Sequence, residues 1–150
     1  MTPATRRRRR SGVGEAGSAT LEAAIGVPAF LLFVGLVIAG GRLAVAGQAV
    51  DAAAADAART ASIARTQSGA QAAAVSAATA SLASQDLTCT SVTVTIDTAG
   101  LGAPVGTPAT VGATVTCVVP LSDLAVPGIP GARAVTATAT SPVDTYRERR

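Results

Sequence analysis

The amino-acid sequence predicts an α+β protein: a long N-terminal transmembrane helix, extended by an alanine-rich amphipathic helix, and then a small antiparallel β-sheet of about three strands. Three observations support this prediction. Residues 23–41 form a run of nineteen uncharged, mostly apolar residues, and alanine dominates residues 47–84. After residue 85 the pattern changes to alternating β-branched and small residues, which is typical of strands with one buried face.

The uncharged run is long enough to cross a bilayer. As a helix rising about 1.5 Å per residue, its nineteen residues would span roughly 28 Å, close to the thickness of the hydrocarbon core. Its ten large apolar side chains each favour insertion by about 0.3 to 0.6 kcal/mol, which outweighs the glycines and Pro28. We therefore predict a transmembrane helix over residues 18–46, continued by an extracytoplasmic helix over residues 47–84.

Five consecutive arginines precede the predicted span, at Arg6, Arg7, Arg8, Arg9 and Arg10. Positive charge close to a membrane helix is retained in the cytoplasm. The arginines therefore predict a basic cytoplasmic leader over residues 1–17, with everything after the span outside the cytoplasm. A nucleic-acid-binding arm is the competing interpretation, but no aromatic residue or other basic stretch lies nearby to support it, and we expect no nucleic-acid partner.

A cleaved secretory signal is a second interpretation of the apolar run. Ala44-Val45-Ala46 has the small-x-small pattern that signal peptidases accept, and cleavage there would make Gly47 the new N-terminus. The run is longer than the roughly 7 to 15 residues usual for a signal core, and Arg42 separates it from the cleavage pattern. On this interpretation the protein is a secreted or membrane-tethered binding module.

Small side chains continue the helical pattern after the span. They recur every three or four residues, at Val50, Ala54, Ala57, Ala61 and Ala64. Such a seam suits close contact between helices better than it suits a core of large side chains. Ser68 and Gly69 predict a break or kink in this segment.

Three segments alternate as strands do, at residues 91–96, 111–119 and 134–140. Each has one apolar face, formed by Val92, Val94 and Ile96, by Val111, Ala113, Val115, Cys117 and Val119, and by Val135, Ala137 and Ala139. Loops rich in glycine and proline separate them, which favours a small antiparallel sheet. We assign residues 85–142 to this β module and residues 143–150 to a charged tail.

Both cysteines of the chain, Cys89 and Cys117, fall in the β module. On the oxidising side of a membrane they are expected to form a disulfide, with two free buried thiols as the alternative. The closed loop of about 29 residues would stabilise the fold by about 3.5 kcal/mol in the chain-entropy model. Cys89 is odd-numbered, whereas the apolar face of its strand is even-numbered, so we expect it before the regular strand or beyond a bulge.

The composition argues against an enzyme. The chain has no His, Lys or Asn, and its charge comes from twelve Arg and nine acidic residues. An imidazole base, a Schiff-base lysine and a His/Cys metal cluster are therefore excluded. We expect no catalytic residue, no metal, no cofactor and no small-molecule substrate.

A basic leader, a glycine, a carboxylate five residues later and an apolar helix that leads to a small sheet resemble the layout of type IV prepilins. Residues 17–42, GSATLEAAIGVPAFLLFVGLVIAGGR, resemble more closely the TadE-like pseudopilins of tight-adherence (Tad) pilus systems, and the closing TATSPVDTYRER resembles the C-terminus of actinobacterial members. The resemblance implies a non-enzymatic, membrane-anchored minor subunit or assembly factor of a Tad-type pilus. Its implied partners are membrane lipid, a prepilin peptidase, other pilin and pseudopilin subunits and the assembly platform.

The resemblance also implies roles for single residues. Gly17 and Ser18 occupy the positions between which a prepilin peptidase cuts, and Glu22 occupies the fifth position of the mature chain. Glu22 would pair with the amine exposed by cleavage, or it would lie at headgroup level, where the helix dipole favours a negative charge. Further along the span, small-xxx-small pairs that permit close helix approach are formed by Gly35, Ala39, Gly40 and Ala44.

Overall fold

The computed structural model describes residues 15–124, 127–128 and 130–146. Two helices come first, α1 over Glu15–Ser62 and α2 over Gln67–Ser84. Three strands follow, β1 over Ser91–Asp97, β2 over Ala109–Pro120 and β3 over Ala132–Val143, with short 3₁₀ helices at Ala99–Gly102 and Ser122–Leu124. The α+β prediction is confirmed, whereas the five leader arginines lie outside the described residues.

Helix α1 is continuous for 48 residues and joins the predicted span to the first part of the alanine-rich segment. Pro28 lies inside it without ending it. The side chains of residues 20–38 are exposed or half-buried, whereas the last third of α1, from residue 46 onwards, contributes the buried alanines of the core. We call the described residues from Arg42 onwards the head, so α1 both enters the head and forms its central element.

The chain reverses between the two helices. Helix α1 ends at Ser62, and Thr66 caps the start of α2 by accepting a hydrogen bond of 3.1 Å from the Gly69 N–H to its Oγ1. A Cβ at Gly69 would lie 2.8 Å from that oxygen, so the glycine leaves room for the cap rather than breaking the helix. The sequence predicts the break at Ser68 and Gly69, whereas the chain reverses a few residues earlier, between Ser62 and Gln67.

Helix α2 packs antiparallel to α1. The Ser81 hydroxyl donates a hydrogen bond of 2.8 Å to Asp56 Oδ2. Farther from the connection between the helices, Gln85 Nε2 lies 3.5 Å from the Ala49 carbonyl oxygen. The predicted seam lies in the buried core, where Val50, Ala54, Ala57 and Ala61 of α1 are fully buried in one cluster with Ala70, Ala74 and Ala78 of α2 and with residues of the sheet. Because these side chains are so small, the two helix backbones approach closely.

The sheet is antiparallel, with the strand order β1-β2-β3. Its inner face packs on the helices, α1 against β2 and β3 and α2 against β1. The odd-numbered residues of β2 are buried there, as the alternation predicts, and the largest fully buried side chains among them are Val111, Val115 and Cys117. Strand β1 is less protected, since Val94 and Ile96 are half-buried and Val92 is 40% exposed.

The outer face of the sheet carries rows of threonine. The register places Thr93, Thr116 and Thr136 side by side, and Thr95, Thr114 and Thr138 form the next row. Within these rows the hydroxyls of β2 and β3 form hydrogen bonds of 2.9 and 3.0 Å. The outer face is therefore polar but almost uncharged.

A disulfide joins Cys89 to Cys117, with 5.5 Å between the two Cα atoms. Cys89 lies two residues before β1, and Cys117 faces the buried side of β2. Next to it, the Thr90 N–H donates a hydrogen bond of 2.7 Å to the Val118 carbonyl. The bond therefore fixes the segment that leaves α2 to the central strand of the sheet.

Candidate functional site

The exposed N-terminal half of α1 is the most unusual surface of the molecule. Phe30 and Phe33 are both 64% exposed, and eight further large apolar residues of α1 before Arg42 are between 42% and 67% exposed. A core helix of a soluble protein would bury such side chains. Here only 6% of the most apolar 18-residue window is buried.

This helix has the length and composition of a membrane span. It is the one such helix within the described ranges, and its most apolar window has a mean hydropathy of 2.4. Ten large apolar residues at about 0.3 to 0.6 kcal/mol each favour insertion by roughly 3 to 6 kcal/mol in total, before the glycines and Pro28 are subtracted. An exposed apolar surface of this size needs a partner, and lipid fits a helix with apolar residues all round.

An ion pair lies at the C-terminal end of the apolar surface. Arg42 is the first charged residue after Glu22, and its Nη1 lies 2.6 Å from Oδ2 of Asp123 in the 3₁₀ helix after β2. The hydrogen bond from Arg42 is the main reason that the pKa of Asp123 is lowered. Both side chains are about half exposed and line an open groove of about 620 Å³ with Asp86 and Val45. The pair therefore ties the base of the head to the end of the apolar helix.

The predicted processing and assembly residues lie at the start of α1. The backbone of Gly17 and Ser18 is helical, and the side chain of Glu22 is exposed. Glu22 follows Ser18 by four residues, so the two lie on the same face of the helix, one turn apart. An amine on Ser18 would therefore be within reach of the Glu22 carboxylate.

The comparison with known families bears on this same part of the chain. Residues 17–59 match the family model described as TadE-like protein. The matched range begins at Gly17 and includes Glu22, the exposed apolar surface and most of the α1 seam. This part of the chain is therefore similar to the TadE-like family. No curated protein and no solved structure matches the chain. The match is to a family whose role is of the pseudopilin type, associated with a Tad pilus.

Within the matched range and just before its seam, the four small residues of the span do not share one environment. Ala39 is only 4% exposed, so it is not accessible to a neighbouring helix. Gly40 and Ala44 are exposed, and a Cβ built at Gly40 would meet no atom within 4 Å. Gly35 is half-buried. The surface open to a neighbouring helix is therefore centred on Gly40 and Ala44.

Two features of the structure were not predicted from the sequence. The partner of Arg42 is 81 residues away in the chain, and no spacing rule connects them. The threonine rows follow from the strand alternation, but their alignment depends on a register that only the structure provides. The position of Arg42 directly after the apolar run was the signal that could have marked it as a boundary residue.

Proposed function

We propose that this protein is a single-pass membrane pseudopilin that acts without catalysis as a minor subunit or assembly factor of a Tad-type pilus. The observation that carries the proposal is the exposed apolar half of α1, which continues without a break into the folded head. A helix that is rigidly joined to the head can be stored in lipid and later packed against other subunits with the head still attached.

The proposed topology places the N-terminus in the cytoplasm and the head outside. The arginines at residues 6–10 favour cytoplasmic retention of the leader. The Cys89–Cys117 disulfide agrees with an oxidising compartment for the head. Arg42 and Asp123, at the base of the head, would then lie at the outer headgroup level.

Glu22 is the proposed assembly residue. Cleavage after Gly17 would expose an amine at Ser18, and the Glu22 carboxylate would neutralise it, either in the same chain or in a neighbouring subunit. In a water-excluded helix bundle an unpaired charge is costly, so pairing would also fix the axial register of the subunits. The proposed partners are a prepilin peptidase, other pilins and pseudopilins, and the assembly platform.

The structure bears on the alternative, a secreted module. Cleavage before Gly47 would cut through the middle of α1 and remove Ala46, whose side chain is fully buried in the head. A secreted product would therefore lose part of its own core.

N-terminal sequencing of the mature chain from membranes, with and without a co-expressed prepilin peptidase, tests the proposal. A start at Ser18 that depends on the peptidase is expected. A start at Gly47 would contradict the proposal in favour of secretion, and an intact leader would indicate a plain anchor. A reporter fused after Arg150 tests the topology independently, since cytosolic activity would rule out an external head.

A further inference from the structure

Both edge strands of the sheet run away from the base of the head. Val119 and Pro120, at the end of β2, line the same groove as Arg42, so β2 runs towards the end of the apolar helix. Strands β1 and β3 are antiparallel to β2 and therefore run the opposite way. At the far end, the Ser141 hydroxyl of β3 donates a hydrogen bond of 3.1 Å to Ser62 Oγ at the end of α1.

The outer edge of β3 lacks the usual protection. Within the described residues this 12-residue strand pairs only with β2. Native sheets blunt such edges with charges, prolines or bulges. Here Arg133 and Pro142 mark the two ends, and residues 134–141 between them carry no charge. A long edge strand whose central residues carry no charge is a template for pairing with another strand.

The edge of β1 is only lightly covered. Gln71 of α2 reaches it with one long contact, 3.3 Å from Nε2 to the Val94 carbonyl oxygen. A flexible side chain at the limit of hydrogen-bond distance is easily displaced by a strand that offers a full ladder of backbone bonds.

We propose that β3 of one copy pairs in parallel with β1 of a second copy anchored in the same membrane. The pairing joins the sheets head to tail and continues the threonine rows from one molecule to the next. The inference rests on the membrane anchor of the proposed function, but not on a role in pili.

The backbone geometry of the sheet supports this pairing. Residues of the central strand direct their N–H and C=O groups alternately towards β1 and β3. Thr114 lies opposite both Thr95 and Thr138, and it directs its N–H and C=O groups towards only one of them. Of Thr95 and Thr138, one therefore directs its backbone groups towards β2, and the other directs them towards the outer edge of the sheet. Opposite residues in a parallel ladder must differ in this way. A second copy that places its Thr95 beside Thr138 therefore meets the hydrogen-bonding requirement.

The membrane anchor selects this arrangement over symmetric ones. Antiparallel pairing of β3 with itself would point the two spans in opposite directions. Parallel pairing about a twofold axis would set identical residues opposite each other, which the ladder does not accept. Spans at the same depth in a bilayer hold two heads at the same height, so Thr138 should face Thr95 without an axial step. Such a heterologous contact leaves a free edge at each end and propagates.

Cysteine cross-linking in membranes tests the proposal with the full-length chain. Within one molecule, Thr95 and Thr138 are two strand spacings apart, about 9.6 Å, which exceeds the roughly 7 Å that a disulfide can bridge. A disulfide formed by the double variant Thr95→Cys, Thr138→Cys must therefore join two molecules. We expect a ladder of covalent dimers, trimers and larger species on non-reducing gels. Co-expressed single variants should stop at dimers, and peptide mapping should locate the new bond at these two positions.

A central-strand variant provides the matched control. Thr114 lies in the same row, but its own edge strands shield it, so Thr114→Cys co-expressed with Thr138→Cys should give no dimer. Equal dimer yield from this control, no ladder from the double variant, or dimers from Thr138→Cys alone would each overturn the edge pairing. Carbonate extraction of the same membranes separates the two proposals. A chain that is retained but not cross-linked refutes only the edge pairing, and a chain that washes off refutes the anchor as well.

Discussion

Enlarging one side chain in the helix seam should destabilise the head strongly. Ala57 is fully buried in the cluster that α1 forms with α2 and the sheet. Replacing it with leucine adds an isopropyl group where no space exists, and overpacking of this kind costs about 1 to 3 kcal/mol. Unfolding of a domain of about 100 residues has an entropy near 0.2 kcal/mol/K, so a loss of about 2 kcal/mol lowers the Tm by roughly 10 °C.

The neighbouring residue Ala55 gives a control in the same helix, because its side chain is exposed. Leucine and alanine have similar helix propensities, so Ala55→Leu should change stability by less than about 0.5 kcal/mol. Circular dichroism of the full-length chain in detergent measures both variants, since the apolar helix remains folded in the micelle while the head melts. Equal Tm values for Ala57→Leu and Ala55→Leu would refute the close packing of α1 on α2.

Three further perturbations test other contacts. Asp123→Asn should lower the Tm slightly at neutral pH. Arg42 lowers the pKa of Asp123 below its usual 3.8, so this stabilisation is complete above that value and disappears as the pH falls through the lowered pKa. Wild type and variant should therefore converge in strong acid, and also in high salt. Replacing Cys89 and Cys117 together with serine should lower the free energy of unfolding by about 3.5 kcal/mol, which is seen as a lower Tm. Reductant should lower the Tm of the wild type but not that of the variant. Glu22→Ala should reduce co-purification with other pilus subunits, and unchanged association would leave the residue with only the helix-dipole role.

The helices and the faces of the strands could be read from the sequence because periodicity reflects burial directly. Val111, Val115 and Cys117 alternate with threonine along β2, and a strand with one buried face allows only one assignment of such a pattern. The apolar run likewise predicts the N-terminal part of α1, although not its end at Ser62. Even the parity argument for Cys89 holds, since the residue precedes β1.

The reversal between α1 and α2 was not readable in the same way. Residues 63–66 contain neither glycine nor proline, and alanine on both sides favours a helix whatever direction the chain takes. The threonine cap becomes visible only when its oxygen is seen to accept from Gly69. The Arg42–Asp123 pair depends on that reversal and on the sheet register together, and such long-range contacts leave no local trace in the sequence.

The way in which the sheet lies alongside α1 determines how the protein bears mechanical load. If the anchoring segment is pulled out of the bilayer along its own axis, the force acts parallel to the surfaces that α1 shares with α2, β2 and β3. All the contacts from Val50 to Ala61 then resist sliding together and do not peel apart one at a time. Because the contacts are loaded in shear, the head can remain folded while force is applied to it through the anchoring segment of α1.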